Sequence, residues 1–138
     1  EKGMVWATNH FVDPVMTPYV APLDPKASTL SRFARLKELL DPATGTKYGK
    51  LDLPMAASVL RDGHNPLTGE DIPAEQFDNG GTLANNGCIY SMVFAPRLRT
   101  VWLATGALPI PQNPYVGFSL YELAGMDGAK APNPASVP

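Results

Sequence analysis

The sequence predicts an α+β domain built from short elements, with strands that need cover on both faces. The stretch Ile89 to Phe94 is apolar at nearly every residue, which is typical of a strand in the middle of a layered structure. From Ser28 to Leu40 the apolar residues recur instead at helical spacing. The chain has 15 prolines and 12 glycines among 138 residues, and such breakers favour short elements over a helical bundle.

The first third of the chain predicts a strand, a long connection and a helix. Gly3 to Thr8 form an apolar run that predicts a short buried strand. Val12 to Pro25 contain four prolines and predict an irregular connection. The first helix is expected to begin with Ser28 as its N-cap and to end at Asp41, which precedes a proline.

The middle of the chain predicts a second helix followed by a polar loop. Pro54 suits the first turn of a helix that reaches Arg61, and Gly63 suits its exit. The acidic residues between Asp62 and Gly81 lack the alternate-residue ligand pattern of a calcium loop. A surface loop is therefore favoured over a calcium site.

The last third predicts a β-hairpin and a tail. A strand from Thr82 to Ala95 is expected to turn at Pro96 into a second strand from Arg99 to Thr105. Tyr115 to Leu123 is compatible with an edge strand or a helical turn. Asp127 to Pro138 is poor in large apolar residues and is expected to be poorly structured or to wrap a partner.

Composition excludes several classes of function. The net charge of −2 and the scattered Lys and Arg residues lack the basic stripe of a nucleic acid binder. No apolar run approaches the roughly 20 residues of a transmembrane helix, so the chain is expected to be soluble, with a periplasmic or secreted location preferred. One cysteine and two histidines predict neither a disulfide nor a metal site. No cofactor is expected.

The polar pair Asn9-His10 follows the predicted strand and is the first candidate for chemistry. A side-chain amide can donate hydrogen bonds to a developing oxyanion, and an imidazole has an ordinary pKa of about 6.5, which suits proton transfer. Both residues could instead simply end a strand by bonding the backbone. The two residues alone leave these alternatives open.

Three segments in order resemble the isopenicillin-N acyltransferase-like family of N-terminal nucleophile (Ntn) hydrolases. They are Ala7 to Phe11, then Ser31-Arg32 with Arg35-Leu36 and Leu39-Leu40 of the predicted helix, then Thr82 to Pro109 with its two strands and its Thr-Gly-Ala-Leu-Pro ending. The resemblance implies a four-layer αββα sandwich, of which this chain forms only part. Residues 1–126 would be the C-terminal portion of the catalytic domain, and residues 127–138 a Pro/Ala/Gly-rich tail.

In that family the nucleophile is a cysteine that self-cleavage exposes at the start of the mature chain, where its own α-amine can act as the base. Position 1 here is Glu1, and Cys88 lies inside the last matching segment. The resemblance therefore implies that a second polypeptide from the same precursor carries the nucleophile. The substrate would be a small-molecule amide or acyl compound, and hydrolysis and acyl transfer both remain open.

The resemblance also implies roles for individual residues. Asn9 matches the asparagine that donates to the oxyanion, whereas the histidine beside it, His10, is not the family's base. Asn85 and Asn86 open the last matching segment, near the place where relatives line the substrate pocket. The alternative for this Asn-Asn-Gly sequence is a turn, because it favours positive φ.

Other residues keep two interpretations each. Arg35, and less clearly Arg32, could pair with a carboxylate across a helix–sheet layer or lie on a solvated helix face. Cys88 is expected to be a small buried apolar residue, and the alternative is a reactive thiol. At the level of the whole chain, the alternative to an enzyme is a binding or structural domain in which Asn9 and His10 only cap a strand.

Overall fold

Two α-helices precede all five strands of this α+β chain and a third follows them, and the computed structural model describes residues 3–77, 81–126 and 133–138. In that part of the chain there are three α-helices, four short 3₁₀-helices and two antiparallel sheets. The helices are α1 (Ser28–Leu40), α2 (Leu53–Leu60) and α3 (Leu120–Leu123). The strands are β1 (His64–Asn65), β2 (Glu70–Asp71), β3 (Ser91–Ala95), β4 (Thr100–Ala104) and β5 (Val116–Ser119).

Helix α1 has nearly the predicted bounds. It begins at Ser28, with Ala27 rather than Ser28 in the N-cap position, so the predicted start is displaced by one residue. At the other end Asp41 Oδ1 accepts hydrogen bonds from the backbone N–H groups of Ala43 and Thr44. This local turn gives the backbone N–H groups that follow the helix a hydrogen-bond acceptor. The helix ends before Asp41, because Pro42 disfavours the α region for the residue that precedes it.

Helix α2 also follows its local signals. Asp52 occupies the N-cap position, and its Oδ1 accepts a hydrogen bond of 2.8 Å from the N–H of Met55. Pro54 lies in the first turn, where the missing N–H costs nothing. After the helix, a Cβ at Gly63 would collide with the Ile72 carbonyl oxygen, which explains the glycine at this exit.

A small hairpin occupies the predicted surface loop. Strands β1 and β2 pair antiparallel, with His64 opposite Asp71 and Asn65 opposite Glu70. Asn65 Oδ1 accepts from the N–H of Leu67 and lies 2.7 Å from the hydroxyl of Ser31. The buried Ser31 side chain thus joins α1 to the hairpin.

Strands β3, β4 and β5 form an antiparallel sheet in sequential order. The predicted hairpin is confirmed, with Val93 opposite Trp102. The first strand begins at Ser91 rather than near Thr82, because the preceding residues form turns. The segment after Tyr115 contains both alternatives, since β5 is followed at once by α3.

The two faces of this sheet have different surroundings. One face packs against α2, and the buried cluster of Ala57, Trp102, Ala104, Ile110 and Tyr115 lies there. The other face is apolar in all three strands, yet Phe94 is 57% exposed and Val116 is 45% exposed. Its residues are Met92 and Phe94 in β3, Val101 and Leu103 in β4, and Val116 and Phe118 in β5.

The end of the chain lies along the free edge of β5. The backbones of Tyr115 and Val137 exchange two hydrogen bonds of 2.9 and 3.0 Å, and Trp102 Nε1 donates to the Ala135 carbonyl at 3.0 Å. Residues 133–138 therefore contact the edge of the sheet, where the sequence predicted a tail that is poorly structured or wraps a partner. Residues 127–132 of that tail lie outside the described residues.

The predicted strand at Gly3 to Thr8 is wrong. The segment is extended and its exposure alternates, with Val5 93% exposed, but no strand is present there. Met4 packs instead against a second buried cluster formed by Leu39, Leu40 and Val59. An apolar run becomes a strand only where a neighbouring strand can pair with it.

No helix in the described part of the chain is long and apolar enough to cross a membrane.

Candidate functional site

A cleft of about 300 Å³ opens at the N-terminal end of α1. Three separate parts of the chain meet there: the segment around Asn9, the first turns of α1, and the turn that precedes β3. The lining residues are Asn9, Ser28, Arg32, Asn85, Gly87 and Cys88. The structure thus brings together two of the three predicted site residues, Asn9 and Asn85.

The backbone of the Asn9 segment is fixed to the first turn of α1. Thr29 Oγ1 accepts a hydrogen bond of 2.9 Å from the N–H of Asn9, and Thr8 Oγ1 donates to the Thr29 carbonyl at 3.0 Å. The two threonine hydroxyls are also 3.0 Å apart. These contacts hold Asn9 beside the helix although its own segment is not in a sheet.

The side chain of Asn9 is oriented by Arg32. Arg32 Nη2 donates to Asn9 Oδ1 at 2.7 Å, and Arg32 Nε donates to the Ser28 carbonyl one turn earlier at 3.2 Å. A guanidinium has only donors, so the atom of Asn9 that meets it must be the amide oxygen. Nδ2 is the other end of the amide, and it makes no hydrogen bond within the described residues.

His10 is packed and hydrogen-bonded. Its Nδ1 lies 2.8 Å from Thr29 Oγ1 and 3.1 Å from Thr8 Oγ1. The ring meets Phe33 edge-on, with 5.2 Å between the centroids. His10 is not among the residues that line the cleft, and its contacts are those of a residue that holds the Asn9 segment in place.

Asn85 and Asn86 have separate surroundings. Asn85 Oδ1 accepts from the N–H of Gly87 at 2.9 Å, which closes a turn on the wall of the cleft. Asn86 lies outside the cleft lining, and its Nδ2 donates to the Phe77 carbonyl. The structure therefore places Asn85, but not Asn86, where a substrate could meet it, and the Asn-Asn-Gly sequence forms the turn that was the alternative.

Cys88 differs from the buried strand residue that was expected. It precedes β3, is partly exposed and lines the cleft. Its backbone N–H donates to the Asn85 carbonyl at 3.3 Å, so the turn and not the strand determines its position. The apolar run beginning at Cys88 gave no sign of this, because the turn ends inside the run.

Arg35 pairs with a carboxylate, as one interpretation expected. Its Nε and Nη2 donate to the two oxygens of Asp62, both at 2.8 Å, and its Nη1 donates to Glu38 at 2.9 Å. Asp62 follows α2, so the pair joins two helical segments rather than a helix and a sheet. Hydrogen bonding to Asp62 raises the pKa of Arg35 above its ordinary value.

The cleft carries one positive charge and no negative charge on its walls. Its lining contains Arg32 but no Asp or Glu, and Arg32 forms no ion pair with the described residues. No group of three or more metal-ligating side chains occurs in the described ranges.

The sequence interpretation missed both Arg32 and Ser28 as cleft residues. Their spacing of four residues on a helix, which places them on one side, was the available signal.

No family model matches the chain, and neither the curated proteins nor the solved structures contain a significant match to it.

Proposed function

We propose that this chain supplies the oxyanion-hole donor of an Ntn-type amide hydrolase or acyltransferase. The nucleophilic cysteine would come from a partner polypeptide of the same precursor, and Asn9 Nδ2 would donate to the oxyanion. The observation that carries the proposal is the 2.7 Å hydrogen bond from Arg32 to Asn9 Oδ1 at the cleft. It fixes the orientation of the amide before a substrate arrives, which is what an electrostatic donor requires.

The proposed reaction is acyl transfer in two steps. The α-amine of the partner's cysteine takes the thiol proton, the sulfur forms a bond to the amide carbonyl carbon, and the carbonyl electron pair moves on to the oxygen, where Asn9 Nδ2 donates. The C–N bond then breaks, the amine leaves with a proton from the ammonium group of the nucleophilic residue, and a thioester remains. Water or a second amine attacks the thioester carbon and gives a proton to the same α-amine, the carbonyl forms again, and the sulfur leaves as thiolate, which takes the proton back.

The sheet supports the fold that belongs to this proposal. One face of β3, β4 and β5 packs against α2, while the opposite face is apolar and exposed in part. In a four-layer αββα sandwich that second face would pack against a second sheet about 10 Å away. The partner polypeptide would contribute that sheet, so residues 1–126 would be one portion of a shared catalytic domain.

The alternative is a binding or structural domain without catalysis. What favours it is the network of Thr8, His10 and Thr29, which would fix the start of α1 whether or not any reaction followed. The intact masses of the purified protein separate the two possibilities. The enzyme requires a second polypeptide that begins with cysteine, and a fully folded single species would contradict it.

Asn9→Ala tests the assigned role. In the assembled protein we expect kcat for amide cleavage to fall by about 10²- to 10³-fold, the usual effect of removing one oxyanion donor. Asn86→Ala is the matched control, since it removes a carboxamide that lies outside the cleft. Amide cleavage is followed by liquid chromatography, with circular dichroism to confirm folding, and equal turnover of Asn9→Ala and the wild type would refute the role.

The same assay addresses the thiol alternative. Cys88→Ser should leave most of the turnover intact if the nucleophile lies on the partner. A complete loss of turnover in this variant, with folding preserved, would transfer the nucleophile's role to Cys88 and contradict the proposed partner cysteine.

A further inference from the structure

Arg32 has hydrogen-bonding capacity beyond its role in orienting Asn9. A guanidinium has five N–H groups, and the bonds to Ser28 and Asn9 use one from Nε and one from Nη2. The others have no partner in the described ranges. The side chain lies on the wall of the cleft and is only partly buried, so these donors can be reached by a small molecule.

The rest of the cleft adds donors but no opposing charge. Ser28 contributes a hydroxyl, and Asn9 Nδ2 makes no bond to the described residues. The amide nitrogen of Asn85 makes only two contacts, of 3.5 Å each, to backbone carbonyls, while its Oδ1 is occupied by the N–H of Gly87. Because no carboxylate lines the cleft, an anion placed there would meet a cation and neutral donors without repulsion.

We infer that the cleft binds a carboxylate group of the substrate, with Arg32 as its partner. The inference rests on the proposed function and narrows its substrate to amides that carry a carboxylate. One guanidinium matches one negative charge, and its planar fork suits a carboxylate better than a point cation would. A volume of about 300 Å³ is at the lower end for small-molecule sites, which favours a compact substrate.

The position of the carboxylate is limited by its distance from the reacting carbonyl. Asn9 would donate from Nδ2 to the oxyanion, while its Oδ1 lies 2.7 Å from Arg32 Nη2. With an ordinary hydrogen bond to the oxyanion and a carboxylate oxygen bound to Arg32 Nη2, the substrate's carbonyl oxygen and that carboxylate oxygen are at most about 11 Å apart. N-acyl amino acids satisfy this limit, and so do amides of short dicarboxylic acids.

Matched pairs of ligands test the inference on the assembled protein. N-Phenylacetylglycine carries the carboxylate on the amine side, and N-benzylsuccinamic acid carries it on the acyl side. Their neutral counterparts are N-phenylacetylglycinamide and N-benzylsuccinamide. Binding to the wild type is measured by calorimetry under conditions without turnover, and we expect one acid to bind about 10- to 100-fold more tightly than its amide. The preferred acid identifies the side of the scissile bond that faces Arg32.

Two variants separate anion binding from orientation of Asn9. Arg32→Gln should remove the preference for the acid, whereas Arg32→Lys should keep part of it. Loss of Asn9 orientation lowers kcat for acids and neutral amides alike, but loss of anion binding raises KM or Kd for the acids alone. Arg97→Gln is the matched control, because it removes an exposed arginine that lies in the turn between β3 and β4 and does not line the cleft.

The outcomes distinguish this inference from the proposed function. Acid preference that depends on Arg32, without any amide cleavage, would support the carboxylate site and contradict the enzyme. Amide cleavage that depends on Asn9, with equal binding of acids and neutral amides, would support the enzyme and overturn the carboxylate site. Acid preference that survives in a folded Arg32→Gln variant would also overturn it.

Discussion

Because a guanidinium can only donate hydrogen bonds, Arg32 leaves the Asn9 carboxamide a single orientation. The pair illustrates a limit of sequence interpretation at the scale of one residue. Arg32 and Arg35 are three residues apart on α1 and have the same chemistry, so spacing alone did not show which one reaches Asn9. Only the path of the preceding loop, which brings Asn9 to Ser28 and Arg32, decides it.

Tyr115 leads to a pH prediction at the same scale. Its side chain is fully buried, and its hydroxyl lies 2.8 Å from Ser91 Oγ. Burial raises the pKa of the Tyr115 phenol above its ordinary value, and the Ser91 hydrogen bond and the Arg61 charge oppose this only in part. The folded chain therefore holds the phenol proton more tightly than the unfolded chain does.

The sign of the effect follows from proton binding. Above an ordinary tyrosine pKa of about 10, the unfolded chain binds fewer protons, so the free energy of unfolding falls as the pH rises through the raised pKa. Tyr115→Phe removes this dependence but loses one hydrogen bond, which costs about 1 kcal/mol at pH 8. Urea unfolding between pH 8 and 11 should show the two chains converging.

Tyr19→Phe is the control for this titration, because Tyr19 is 75% exposed. Its free energy of unfolding should follow that of the wild type throughout. A constant difference between Tyr115→Phe and the wild type across the whole pH range would contradict a raised pKa for Tyr115.

At the scale of elements, local signals explain what the sequence could predict. Helix α2 was predicted from Pro54 and the exit glycine Gly63, which act within a few residues of the helix ends, and the structure adds Asp52 as its N-cap. The Gly3 to Thr8 strand was wrong because a strand depends on a partner that the local sequence does not specify. The hairpin β1–β2 was missed for the related reason that its strands are two residues each.

The close packing of residues 133–138 against strand β5 can be tested by substitution. A Cβ at Gly117 would lie 2.5 Å from Cγ of Pro134 and 2.8 Å from Trp102 Nε1. Gly117→Ala should therefore displace the tail and destabilise the chain by about 1–3 kcal/mol, as overpacking usually does. Urea unfolding gives the value.

A double-mutant cycle shows whether the tail is what restricts a side chain at position 117. In a chain that lacks residues 133–138, Trp102 Nε1 has lost its bond to Ala135 and can move, so Gly117→Ala should cost less. An equal cost in both backgrounds would show that the tail does not restrict Gly117.

At the scale of the whole molecule, the sequence indicated one property of the sheet and left a second one open. The apolar character of both faces was visible in Ile89 to Phe94, and it predicted cover on both sides. Which face α2 would cover depended on the register of Val93 opposite Trp102, and no local signal contains that. The same limit applies to the candidate site. Asn9 and Asn85 were each predicted as candidates from the sequence, but only the folded chain brings them into one cleft.

The partly exposed face of the sheet provides the last prediction. Phe94 is 57% exposed and lies on this apolar face in the edge strand β3, and an exposed apolar surface is typical of an interface with another element. If the partner polypeptide's sheet packs there, a charge at this position would be buried without a counterion, which is strongly unfavourable. Phe94→Glu should therefore weaken association of the two polypeptides at least tenfold, as measured by native mass spectrometry over a dilution series. Leu98→Glu is the matched control, because Leu98 is 70% exposed but lies in the turn between β3 and β4. Equal association of the two variants would place the interface elsewhere, and it would remove the support that this face gives to a four-layer sandwich.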